Sequence, residues 1–136
     1  MIFVDTGAWI AILNRRDQHH QEAVAMYNKL QQQQTRLLTT DYVIDETVTR
    51  LRYDTNHPLA VMFFNRIELF METGVLTVAE IDKNIFEKAK ALFRQYDSAR
   101  LSFTDCTSFV ICHENSIREA FAFDQHFSMM GINLRR

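Results

Sequence analysis

Four acidic residues stand at positions where carboxylate chemistry is plausible on spacing alone: Asp5, Glu46, Asp105 and Asp124. Asp5 follows the apolar run Ile2-Phe3-Val4, and Asp124 follows a second run ending at Phe123. Asp105 opens an apolar helical stretch after Leu101-Ser102-Phe103, and Glu46 lies in the first turns of another. Each has a purely structural alternative. Asp5 can serve as a helix N-cap, Asp105 can complement a helix dipole, Glu46 can pair with Arg50 one turn on, and Asp124 can shape a turn. All four together at one edge of a sheet is a different matter, because like charges raise one another's pKa and oppose folding. A hard divalent cation relieves that repulsion. Magnesium takes oxygen ligands and few carboxylates, so four carboxylates suit one or two such ions. Two ions about 4 Å apart activate an attacking water and stabilise the leaving oxygen of a phosphodiester.

Other chemistries have less support. Cys106 and Cys112 are the two cysteines, and their spacing matches no zinc or redox pattern; reduced, mostly buried thiols are expected. There is no Gly-rich phosphate loop and no nucleophile elbow. Histidines form no cluster: His19 and His20 are expected exposed near a helix start and His113 late in its helix, while His126 lies close enough to Asp124 to touch the same site.

The elements that must gather these groups are readable from periodicity. Ile2–Val4 has the uniformly apolar character of a buried parallel strand. Helices are expected over Ala8–Leu13 and Gln18–Gln33, followed by a strand over Arg36–Thr39. Asp41 is expected to cap a helix with Val43, Ile44, Thr47, Val48 and Leu51 on one stripe. Pro58 suits a first helical turn, and that helix runs to Thr73, closed by Gly74. A strand follows over Val75–Val78, then a helix from Ile81 through Tyr96. Ser102 or Thr104 caps the next helix, which runs to about Asn115. A strand spans Glu119–Phe123, and Ile132–Leu134 forms a short edge strand. Phe63, Phe64 and Phe70 read as core or partner surface, and Trp9 as core. Alternation of strands and helices predicts an α/β fold, a parallel sheet with helices on both faces, and such sheets bind ligands beyond the carboxyl ends of their strands.

The 136 residues fit one domain, 1–136, with 47% hydrophobic and 24% charged residues. Net charge is -2, but 11 of the 15 basic residues are Arg, whose planar fork suits phosphate. Setting the four acids aside leaves 13 acidic residues against 15 basic ones. No secretory leader is evident and no apolar run approaches the ~20 residues of a membrane helix, so a cytoplasmic protein with no membrane role is expected.

Four segments in order resemble one family. Phe3-Val4-Asp5-Thr6-Gly7-Ala8-Trp9, Asp41 to Thr47, Leu101 to Cys106 and Ala122 to Phe127 are similar to the acidic segments of PIN-domain proteins, and most of all to VapC-type toxins of type II toxin–antitoxin pairs. The resemblance implies a three-layer α/β/α sandwich with a central parallel sheet. It implies an endoribonuclease using Mg²⁺ or Mn²⁺, with Asp5, Glu46, Asp105 and Asp124 as catalytic and metal-binding residues. Thr6 and Thr104 stand beside those carboxylates, where a hydroxyl can position a ligand or water. The resemblance also implies an RNA substrate, a homodimer, and an antitoxin protein lying over the active site, with Ala8–Leu13 and Pro58–Phe70 as candidate contact helices. Gly7 departs from the serine of many relatives, and Gln125 from a basic residue. Alternatives are a PIN nuclease for RNA processing without an antitoxin, and a non-catalytic PIN-fold binding module.

Overall fold

Ile2, Phe3 and Val4 form a strand, β1 (Ile2–Val4), and all three are buried. Successive strand residues face opposite sides of a sheet, so both faces at β1 are covered. β2 (Leu37–Thr40) is likewise buried throughout. The computed structural model describes residues 1–136, and these strands form the middle of a five-stranded parallel sheet. Between β1 and β2 run α1 (Thr6–Leu13) and α2 (His20–Gln32). After β2 come α3 (Asp41–Asp54), α4 (His57–Glu72), β3 (Leu76–Ala79), α5 (Lys83–Gln95), α6 (Phe103–Glu114), β4 (Glu119–Phe121), α7 (His126–Met129) and β5 (Asn133–Arg135). The spatial strand order is β3-β2-β1-β4-β5, and Phe3 stands opposite Leu38 on one side and Ala120 on the other. The molecule is an α/β sandwich.

The chain leaves β1 toward β2 and returns on β1's other side as β4, so the strand order reverses between β1 and β4. Crevices at such points open at the carboxyl ends of the strands, where Asp5 and the turn bearing Asp124 emerge. The core is one cluster that includes the fully buried rings of Phe3, Phe63, Phe109, Phe121 and Phe127. Phe127 packs edge-on to Phe109, centroids 5.0 Å apart, and 6.0 Å from Phe3. Trp9 is core too, against Phe63 at 5.6 Å, whereas Phe64 is exposed.

Several boundaries differ from expectation. Thr40, not Asp41, caps α3: its hydroxyl accepts from the Val43 N–H at 3.1 Å. The Asp41 carboxylate instead accepts from the Ile81 N–H at 3.0 Å, holding the segment after β3. Ser102 caps α6, not Thr104. β4 stops at Phe121 rather than Phe123, and the short helix α7 is an addition to the expected elements. Its cause is local: the Asp124 carboxylate accepts from the His126 N–H at 2.9 Å and turns the chain. Gly74, with φ 77°, closes α4 as expected of a residue free of a Cβ.

Candidate active site

Asp5 enters the site as the residue between β1 and α1. Its N–H donates to the Phe121 carbonyl at 3.1 Å, which locks it to β4, and its carbonyl accepts from Ala8 and Trp9. Its side chain caps nothing, so the N-cap alternative does not account for the carboxylate. Asp105 has a structural task as well as a place in the site. With Ser102 it forms a capping box: the Ser102 hydroxyl accepts from the Asp105 N–H, and Asp105 Oδ2 accepts from the Ser102 N–H, both at 3.0 Å. Asp124 uses Oδ1 in its turn. In both residues the other carboxylate oxygen has no such partner.

These side chains converge on a cavity of about 370 Å³ with no hydrophobic lining residue. Asp5, Glu46, Asp105 and Asp124 all line it, so the four acids far apart in sequence share one space. Thr6, Gly7, Ser102 and Arg50 complete the wall. Glu46 and Arg50 form no ion pair. Thr104 does not line the cavity. It precedes Asp105 on α6, so its side chain is turned away by a helical step of about 100°, and its carbonyl accepts from the Thr107 hydroxyl at 2.6 Å. A larger cavity, about 420 Å³, opens where β2 and β3 begin; it contains no carboxylate and lies at the wrong end of the strands.

The electrostatics follow from this crowding. Asp5, 6% exposed, has its pKa pushed up to about 7, first by burial and then by the Asp105 charge, with smaller contributions from Glu46 and Asp124; the Thr6 N–H opposes. Asp105 is raised too, by burial foremost, while its bonds to Ser102 hold it down. His126 comes close to this centre. One ligand atom from each of Asp105, Asp124 and His126 lie within 4.8 Å of one another. His126 Nδ1 is 2.9 Å from Asp124 Oδ1 but out of line for a hydrogen bond, so this buried nitrogen has no partner. The buried Thr6 hydroxyl also lacks one.

Residues 2–133 match the PIN domain family profile. The chain belongs to the PIN domain family. Among its relatives, the 23S rRNA-specific endonuclease VapC20 of Mycobacterium tuberculosis is 31% identical over 131 residues, spanning 96% of this chain and 95% of the relative. A VapC ribonuclease of Archaeoglobus fulgidus is 31% identical over 132 residues, covering 95% of this chain and 80% of the relative. The crystal structure of M. tuberculosis VapC20, described as a sarcin–ricin loop cleaving toxin, superposes with a TM-score of 0.82 at 29% identity over 97% of this chain and 96% of that one.

The donor set of this PIN domain fits a hard divalent cation. It is oxygen-rich, its carboxylates are crowded and buried enough to raise Asp5 to about 7, and it contains an orphaned hydroxyl at Thr6. Ser102, absent from the expected site residues, carries a recognisable sequence signal, the Ser-x-x-Asp capping pattern. Arg50 is visible in the sequence only as a partner for Glu46. That it borders the cavity depends on how α3 packs beside α1 and α6.

Proposed function

We propose that this PIN domain, folding as a single unit over 1–136, is a metal-dependent endoribonuclease and the toxin of a toxin–antitoxin pair. The observation that carries the reading is the convergence of Asp5, Glu46, Asp105 and Asp124 on one cavity, in a chain 31% identical to proteins named as RNA endonucleases. Asp5 and Asp105 are the principal holders of Mg²⁺ or Mn²⁺, and Asp124 and Glu46 complete the site. Bound there, the cation supplies Lewis-acid activation of water and neutralises charge on the phosphodiester. The capping box fixes Asp105 and the β1–β4 bond fixes Asp5, so the acids are positioned before RNA arrives. The Thr6 hydroxyl, buried and without a partner, orients a water or a phosphate oxygen.

An antitoxin and a second copy of the chain are the proposed protein partners. Val61, Met62, Phe64 and Leu69 on α4 are exposed apolar side chains that such contacts would cover. No helix is long and apolar enough to cross a membrane. The nuclease reading is tested by incubating total ribosomal RNA and a sarcin–ricin loop hairpin with the wild-type chain and with Asp5→Asn and Asp105→Asn in Mg²⁺. Each substitution is expected to lower cleavage at least about 100-fold, a loss of roughly 3 kcal/mol of transition-state stabilisation. Undiminished cleavage by both variants overturns the proposal.

A further inference from the structure

Glu46, Arg50 and Asp54 recur every four residues along α3, so they form one ridge of that helix. The ridge leads out of the acidic cavity. Glu46 and Arg50 line that cavity, and Asp54, about 12 Å further along the helix axis than Glu46, lines a second depression of about 400 Å³. The other wall of this depression is the end of α1 and the turn after it, from Leu13 to Arg16. α1 and α3 pack against one another. α1 meets the acidic cavity through Thr6 and Gly7 in its first turn, and α3 through Glu46 and Arg50 in its second and third, so the second depression lies further along the same helix pair, at the carboxyl ends of both.

Three guanidinium groups are spread over this path, Arg50 in the first space and Arg15 and Arg16 in the second. All three residues are exposed, and none lies within 4.0 Å of a carboxylate. For Arg50 this is unexpected, because four carboxylates share its cavity. Asp54 is the single acid in the second depression, which leaves that space with a surplus of positive charge. The turn bearing Arg15 and Arg16 is held in place. Asn14 Oδ1 accepts from the Arg16 N–H at 3.0 Å and Asp17 Oδ1 from the His19 N–H at 2.8 Å. The His19 ring stacks on Phe123, the neighbour of Asp124, at 4.3 Å and 3°.

We infer that Arg50, Arg15 and Arg16 form a binding track for the RNA backbone on one side of the scissile bond, an inference that rests on the nuclease reading of the acidic cavity. Arg50 takes the phosphate next to the one cleaved, and Arg15 and Arg16 take phosphates further along. A guanidinium with no carboxylate partner offers its paired N–H donors to phosphate oxygens without first breaking an ion pair. The track also answers an electrostatic problem: RNA is an anion approaching a cluster of anions, and cations flanking the cluster draw the strand in.

The test compares wild type with Arg50→Ala, Arg15→Ala/Arg16→Ala, the triple variant, and Arg94→Ala on α5 as a control matched in charge to Arg50→Ala. Exposed substitutions of this kind leave the fold within about 0.5 kcal/mol of wild type. Affinity for a fluorescein-labelled, mixed-sequence single-stranded oligoribonucleotide is read by anisotropy in Ca²⁺ over a range of salt. The triple variant is expected to bind at least about 10-fold more weakly. Its salt slope should fall by about 0.7 for each phosphate left without its arginine, so by about 2 in total. Arg94→Ala should match wild type. Unchanged affinity and slope in the triple variant overturn the track, as does an equal loss in Arg94→Ala or failure of wild type to bind. Cleavage in Mg²⁺ separates the two readings. Wild type that binds through these arginines yet leaves both ribosomal RNA and the sarcin–ricin hairpin intact refutes the nuclease, and only the arginines' role in holding an RNA backbone survives. A triple variant that cleaves with unchanged KM refutes the track alone.

Discussion

Asp5 titrates in the folded protein at about 7, against 3.8 for an ordinary aspartate, with burial the larger cause and the Asp105 charge the next. A folded-state pKa above the unfolded one gives a contribution to stability that is full below about 4 and is lost as pH rises through about 7. The size is on the order of 4 kcal/mol for about three pK units. The metal-free protein is therefore expected to lose melting temperature between pH 4 and 7, and Asp5→Asn to flatten that decline; thermal denaturation of both proteins in EDTA across this range checks it, and parallel profiles would contradict it. Under the proposed metal-dependent reading the cation occupies the deprotonated site, so Mg²⁺ should raise the melting temperature more at pH 8 than at pH 5. Gly7 offers a contrasting case. A Cβ added there meets nothing within 4 Å, and glycine in a helix is less favourable than alanine by up to about 1 kcal/mol. Gly7→Ala should raise stability by about 0.5 kcal/mol in urea denaturation. Asp5, Asp105 and Asp124 are legible in the sequence because each stands beside an apolar run where a strand ends or a helix begins, and Glu46 because it lies early in the apolar-striped helix α3. Arg50 is not, since its role at the cavity wall is a property of helix packing, and Thr104 misleads because adjacency in sequence is not adjacency around a helix.

At the scale of elements, α3 matters most, because it positions both Glu46 and Arg50. Its N-cap is the buried Thr40 hydroxyl. Thr40→Ala leaves the Val43 N–H without its partner, and a loss of about 1 to 2 kcal/mol is expected in urea denaturation. Asp41→Ala acts elsewhere, releasing the Ile81 N–H. Sequence alone cannot choose between two adjacent residues that are both good caps; the choice depends on a contact between residues 41 and 81. Strands and long helices are otherwise readable to within a residue or two from apolar periodicity, as with α4 at His57–Glu72. α7 escapes because its four residues are too few to show a helical period. The shortened β4 has the same origin, since apolar Ala122 and Phe123 continue the pattern after the ladder with β1 has ended.

Across the whole molecule, the interior excludes solvent thoroughly enough to silence both thiols. Cys106 and Cys112 are fully buried. Burial, reinforced by Asp105, pushes the Cys106 pKa up to about 11, and burial with Asp5 drives Cys112 higher still. The thiolate is the reactive form, so neither cysteine should react with iodoacetamide at pH 8 in the native state, whereas both should be alkylated in denaturant. Mass spectrometry counts the adducts, and rapid native labelling would contradict this packing.

The interleaving of β4 beside β1 has a consequence for biosynthesis. A nascent polypeptide that has emerged from the ribosome only as far as α6 already carries three of the acids, yet it lacks the strand whose Phe121 carbonyl anchors Asp5. The acidic cavity therefore stays incomplete in every nascent chain from which β4 has not yet emerged, and it closes in one step when that strand docks beside β1.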